Sequence, residues 1–218
     1  NGNPYAKKVY QDAYNAANSA YTDSLNNQNA NNYTCNTAAA ATYAAVQGAI
    51  ADYVNNNAAM ANPTNFSGDA LTAYQKAYQK ASQNEIAAAI QNGQSQYEAG
   101  KSLDEIAQYG QSDSKSALGQ VAKVAAQREQ AGHDDALNGG THSDINNDPS
   151  YQAGWNLVQH EKAGEQKALS NVDVKPDSSA TAAEQDGFSG TVDGYNQAAT
   201  NGSLSADTIY DYIKNNLN

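Results

Sequence analysis

The chain is poor in the residues that build ordinary hydrophobic cores. Leu, Ile, Val and Phe together make up roughly 12% of its 218 residues, below the level of about 20% that marks disordered chains. It has one cysteine, Cys35, which excludes an internal disulfide. A reactive thiol would need a histidine or a cation beside it to lower its pKa. None lies near in sequence, so Cys35 reads as a small apolar residue at a helix start. There is one arginine, Arg128, and the lysines are scattered, against a formal net charge of −11. A phosphate-binding surface needs clustered cations, so nucleic acid is excluded as a partner. An anionic membrane surface is disfavoured for the same reason. No apolar run approaches the roughly 20 residues that span a bilayer, so membrane insertion is not expected. The chain opens Asn1-Gly2-Asn3-Pro4, without Met or a signal-peptide pattern, as expected of a mature form or of a piece of something longer.

Catalytic and metal-binding patterns are equally scarce. The three histidines are His133, His142 and His160. Zinc would want two of them at helical i, i+4 spacing or beside cysteine, and neither arrangement occurs, so they read as solvated. There is no Gly-x-Ser-x-Gly elbow, no phosphate-binding glycine loop and no His-Glu-x-x-His. Glycoside hydrolysis needs two opposed carboxylates. The acids here are spread along polar helix faces, where a charge is usually just solvated. The chain therefore reads as non-catalytic; an enzyme would need an acid or histidine cluster that the sequence does not reveal.

What is present is tyrosine and alanine at helical spacing. The chain has fifteen tyrosines. Tyr10, Tyr14, Ala17, Tyr21 and Leu25 form one stripe; Ala39, Tyr43, Val46, Ile50 and Tyr53 a second. Leu71, Tyr74, Tyr78 and Ala81 begin a third, continued by Ile86, Ala89 and Ile90. Leu118, Val121, Ala122 and Ala125 follow, then Tyr151, Trp155, Val158 and Leu169. Phe188, Val192, Tyr195 and Ala199 repeat the spacing, and Ala206, Ile209, Ile213 and Leu217 close the chain. No run alternates with period two, so no sheet is expected. Alanine has the best helix propensity and lets helices approach closely, while tyrosine supplies buried area with a polar tip. The expected fold is all-α, with thin Ala/Tyr cores in antiparallel hairpins or small bundles.

Punctuation supports the helices. Asn62-Pro63 is expected to stop the second, because the residue before proline disfavours αR. Ser67 or Asp69 can cap the third. Ser102-Leu103-Asp104-Glu105 matches a capping box, and Asp148-Pro149 reads as N-cap then N1. Asn92-Gly93, Asn138-Gly139-Gly140 and Asn201-Gly202 read as stops or turns. The stretch from Val174 to Ser179 reads as a loop. The longest non-periodic stretch, roughly Ala131 to Asp148, suggests a division into helical repeats at 1–132, a polar linker at 133–148 and a third repeat at 149–218.

Three segments share an opening: Tyr10-Gln11-Asp12-Ala13-Tyr14, Tyr74-Gln75-Lys76-Ala77-Tyr78 and Tyr151-Gln152-Ala153-Gly154-Trp155. Two aromatics four apart lie on one helix face, and the small residue before the second lets a neighbouring helix approach. The six residues Tyr10, Tyr14, Tyr74, Tyr78, Tyr151 and Trp155 are the expected packing anchors of divergent helical repeats, a pattern compatible with an elongated array. With Gly194-Tyr195-Asn196-Gln197-Ala198-Ala199, these openings resemble repetitive secreted or cell-surface proteins of lactic acid bacteria, over about a quarter of the chain. The resemblance implies an extracellular structural or adhesive segment and carries over no catalytic residues. No wall-sorting motif is present.

Two ligand readings remain. Asp144, Asn146 and Asp148 place oxygen side chains at positions 1, 3 and 5 of a calcium loop, with His133-Asp134-Asp135 upstream. Pro149 then stands where such a loop has glycine, and Trp155 where it has a bidentate glutamate. The competing reading is a polar linker ending in an Asp N-cap. Tyrosine faces also stack on sugars. Those off the main stripes, Tyr5, Tyr33, Tyr97 and Tyr210, are the candidates for an exposed binding surface. The Asn-x-Ser/Thr triplets at Asn32, Asn65 and Asn201 arise easily in an Asn-rich chain. The sequence thus points to a non-catalytic structural or adhesive module of an extracellular bacterial surface protein, its partners host glycans, mucin or neighbouring repeats. A helical domain binding a carbohydrate or small ligand is the alternative.

Overall fold

The computed structural model describes residues 3–34, 37–56, 65–140, 148–171, 173 and 175–201. Every regular element among them is helical. They are α1 (Pro4–Leu25), α2 (Ala38–Val54), α3 (Gly68–Lys80), α4 (Ala87–Glu98), α5 (Leu103–Ile106), α6 (Leu118–Leu137), α7 (Pro149–Ser170) and α8 (Ala182–Asn201). A single 3-10 turn spans Ala30–Asn32, and a π segment, Ala81–Ile86, joins α3 to α4. The π segment has a sequence cause. The stripe steps by five from Ala81 to Ile86, and one wide turn keeps both residues on the buried face; they are 0% and 4% exposed.

The helix starts follow capping chemistry. Asn3 caps α1 by accepting from the Tyr5 N–H, with Pro4 at N1. Thr37 caps α2 through the Ala40 N–H. Ser102 and Glu105 complete the capping box of α5. Asp148 caps α7 by accepting from the Ser150 and Tyr151 N–H groups, with Pro149 behind it.

The stops correct two expectations. Asn92-Gly93 does not end a helix: α4 runs through it to Glu98. A Cβ on Gly93 would overlap the Ala122 carbonyl, so this glycine lets α4 and α6 touch. The stop comes at Gly100, whose φ is +75°. The Gly100 N–H donates to Tyr97 O and the Lys101 N–H to Gln96 O, a Schellman ending. Likewise α2 ends at Val54 rather than at Pro63, with Asn56 in the left-handed region; Pro63 itself lies outside the described residues. Gly139 does stop α6, its φ +70° and the Gly140 N–H donating to Asp135 O. Residues 133–137, expected in the linker, belong to α6, because Gly132 and Ala136 pack inward and carry the helix past the charged pair Asp134-Asp135.

The chain groups into two compact units, Asn1–Gln127 and Arg128–Asn218, the division falling inside α6. In the first, α1 packs on α2 and α2 on α3. Its core is Ala/Tyr-rich: Tyr21, Leu25, Ala45, Val46, Ile50, Tyr74, Tyr78, Ile86, Leu118 and Val121 are all buried together. A smaller cluster gathers Ile106, Ala122 and Ala126. Burying a tyrosine contributes roughly as much apolar area as a leucine would, which is how a chain with so few aliphatics closes a core.

The second unit is held by glycine crossings. A Cβ on Gly132 would strike Tyr151 O, and one on Gly154 would strike Glu129 O. The same relation recurs between α7 and α8, where Gly164 faces Glu184 O and Gly187 faces Glu161 O. Helices brought this close gain backbone dispersion contacts along the whole crossing, with Val158, Ala168, Ala183 and Phe188 buried around it.

Candidate functional site

The most distinctive surface is the first half of α1. Tyr5 is 73% exposed, Tyr10 71% and Tyr14 57%, and Val9 stands beside them at 48%. Tyr10 and Tyr14 were expected as packing anchors, and the structure corrects this. Their stripe is real, but only its far end is covered: Ala20, Tyr21, Ser24 and Leu25 are buried. The described residues of the first unit leave the N-terminal turns of α1 exposed. Lys7 and Lys8 flank these tyrosines, and Lys8 pairs with Asp12 one turn on.

The other anchors divide. Tyr74, Tyr78 and Tyr151 are buried, at 6%, 7% and 6% exposed. Trp155 is only half-buried, so Tyr151 and Val158 carry the packing on α7. Leu169 and Tyr195, expected on buried stripes, are 55% and 45% exposed; Ala168 takes the inward place beside Leu169.

Of the off-stripe tyrosines, Tyr5 is open. Tyr33 stacks on Tyr43 with ring centroids 5.0 Å apart and donates to Asp23 Oδ2 at 2.8 Å. Burial, reinforced by that bond to Asp23, pushes the Tyr33 phenol up to about 12. Tyr97 is half-buried against the Ile106 cluster. Tyr210, with Asp144, Asn146, Cys35, His142 and the closing stripe Ala206 to Leu217, lies outside the described residues. Asp148, the remaining member of the calcium pattern, is engaged as the α7 cap and stands 3.3 Å from the Arg128 Nε. His133 lies 3.8 Å from Glu161, whose carboxyl is pushed up by burial against the pull of that histidine. His160 is exposed. Among the described residues no three His, Cys, Asp or Glu side chains form a metal-sized group. No described helix is long and apolar enough to cross a membrane.

Sequence periodicity missed the acceptors that serve the buried tyrosines. Tyr78 donates to Asp52 Oδ2 at 2.9 Å and Tyr151 to Asp135 Oδ2 at 2.7 Å. In each case a glycine, Gly48 or Gly132, lies one turn before the aspartate and against the same aromatic segment. The signal was present as Gly-x-x-x-Asp and Gly-x-x-Asp. Glu129, fully buried where α7 crosses α6, was missed too, since nothing in its neighbours distinguishes it from the exposed acids.

A second feature is an open groove of about 450 Å³ on the second unit. Lys175, Asp177, Gln185, Phe188, Val192 and Asp193 line it, between the loop before α8 and α8 itself. Hydrogen bonds from Ser179 hold the Asp177 carboxyl below the usual range. The groove's rim is mixed and polar, with Phe188 buried beneath it.

Comparison of the chain with protein-family models, with curated proteins and with solved structures returns no match.

Proposed function

We propose that the chain is a non-catalytic structural or adhesive module of an extracellular bacterial surface protein, with helical repeats as its framework. The observation that carries this reading is the exposure of large side chains all round the first half of α1. Three tyrosines and a valine stand in solvent on a helix whose other end is packed into a core. Tyr10 and Tyr14 share one side of that helix and Tyr5 and Val9 another, and exposed large apolar groups set close together mark contact sites. Tyrosine suits such a site because it offers a rigid ring and a polar tip at low entropy cost. The high Asn and Gln content and the acidity keep such a module soluble outside a cell.

The test is binding of the full chain to a panel of glycans and mucins at physiological salt, with and without calcium. Saturable binding that is lost in the Tyr5→Ala/Tyr10→Ala/Tyr14→Ala variant supports adhesion through α1. Binding that survives this variant, and falls instead with Asp193→Asn on the groove's exposed rim, would transfer the function to the groove. That groove favours the second reading, a helical domain that takes a carbohydrate or small ligand between α8 and the loop before it.

A further inference from the structure

We propose that Asn138-Gly139, at the C-terminal end of α6, is a site of spontaneous deamidation, and that the product loosens that end of the helix. The chemistry is an attack by the backbone on a side chain. The Gly139 nitrogen gives up its proton to solvent and bonds to the Asn138 side-chain carbonyl carbon, Cγ. The Cγ–Nδ2 bond breaks, and Nδ2 leaves as ammonia with a proton returned by solvent. One water then opens the five-membered imide that remains. Opening at Cγ gives aspartate. Opening at the main-chain carbonyl gives isoaspartate, with the chain rerouted through Cβ and Cγ. No electrons change hands: one water is consumed and one ammonia released. The step needs a following residue with no side chain to block the attack, which glycine meets. It also needs an unengaged N–H and room for the asparagine to turn.

The described residues hold two Asn-Gly pairs, and they differ in these respects. Asn92-Gly93 lies inside α4. The Gly93 N–H belongs to the helix's hydrogen-bond ladder, and Gly93 is buried against the Ala122 carbonyl. The Asn92 Oδ1 accepts from Gln96 Nε2 at 2.8 Å. Ring closure there requires α4 to open. Asn138 and Gly139 are both exposed. Gly139 has left the helix, with a φ of +70° and nothing within 4 Å of the place a Cβ would occupy. The Gly140 N–H closes the helix ending on Asp135 O, while the Gly139 N–H makes no hydrogen bond among the described residues. The attacking nitrogen is therefore unengaged. The Asn138 side chain is held by one surface bond, from Nδ2 to the Asp134 carbonyl at 2.8 Å, which breaks whenever the last turn frays.

The product is at odds with the place where it forms. The last turn of α6 has no basic residue, and Asp134 and Asp135 stand close by in it. A carboxylate at 138 meets the negative end of the helix dipole and lacks the donor that served the Asp134 carbonyl. It also competes for Lys162 of α7, whose Nζ donates to the Ala136 carbonyl at 3.2 Å. Asp135 in the same turn accepts from the Tyr151 hydroxyl, so loosening reaches the contact between α6 and α7.

The test is peptide mapping by mass spectrometry of the full chain incubated at mildly alkaline pH, folded and in urea. In the folded chain Asn138 should convert to aspartate and isoaspartate at least about tenfold faster than Asn92, whose reaction waits on opening of α4. In urea the two rates should converge. A folded chain in which Asn138 keeps its amide as long as Asn92 overturns the assignment. Two variants test the consequence. Asn138→Asp should lower the Tm and speed hydrogen exchange at the Gly140 N–H. Asn138→Gln, whose longer side chain closes its ring far more slowly, should hold its Tm through an incubation in which the wild-type Tm falls. An Asn138→Asp chain with wild-type Tm and exchange overturns the loosening, as does an equal fall of Tm in wild type and Asn138→Gln.

Discussion

Gly154 of α7 lies against the backbone of Glu129 in α6, so close that no side chain fits between the two helices. A Cβ there would overlap the Glu129 carbonyl and crowd the His133 nitrogen. Both are backbone atoms of a helix and cannot swing aside. Gly154→Ala should therefore destabilise the second unit by about 3 kcal/mol or more, at the upper end of overpacking costs. Gly187→Ala, set against Glu161 in the same way, should behave alike. Gly48→Ala is the control, because its added methyl meets only the tip of the Tyr74 side chain, at 2.8 Å. Urea unfolding of the three variants would order them; equal losses would contradict the backbone contact.

The Tyr33–Asp23 hydrogen bond should show in the alkaline limb of stability. The Tyr33 phenol is raised to about 12, so the folded state holds this proton more tightly than the unfolded chain, whose tyrosine titrates near 10. The stabilisation is fully present below pH 10 and is lost as pH rises towards 12. Tyr33→Phe should cost about 1 kcal/mol at neutral pH. The gap from wild type should close through that window, followed by chemical unfolding at several pH values.

Glu161 should act in the opposite sense to a salt-bridged acid. Burial raises its pKa, and the nearby Asp186 raises it further, with His133 opposing. The folded state then binds the proton more tightly than the unfolded one, so wild-type stability falls as pH rises from the ordinary glutamate value of about 4.3 through the raised one. Glu161→Gln should match or exceed the wild-type Tm at neutral pH and lose that advantage below about pH 4. A variant clearly less stable at neutral pH would show that His133 dominates the site.

Asp148 should matter as a cap. Asp148→Ala should cost about 1 kcal/mol, and the loss should be the same in calcium-containing and chelator-treated buffer. A wild-type Tm that rises with calcium while the variant's does not would make Asp148 a ligand instead.

The helices themselves were legible in the sequence because alanine and tyrosine repeat at 3.6-residue spacing whatever covers them. Burial was not. Tyr10 and Tyr78 sit in near-identical pentapeptides, yet one is 71% exposed and the other 7%. Periodicity reports which residues share a face and says nothing of whether another helix arrives there. Glycine was misread for a related reason. Asn92-Gly93 and Asn138-Gly139 look alike locally, but Gly139 takes a positive φ while Gly93 meets the Ala122 carbonyl, a contact made across about thirty residues of chain.

Hydroxyl-radical footprinting of the tyrosines in the dilute chain tests the exposure of the first half of α1 most directly. Tyr5, Tyr10 and Tyr14 should be modified rapidly, and Tyr21, Tyr74, Tyr78 and Tyr151 should be protected until the chain unfolds. Rapid modification of Tyr74 and Tyr78, or protection of Tyr10 and Tyr14 in the dilute chain, would contradict the assignment of α1 as the contact surface.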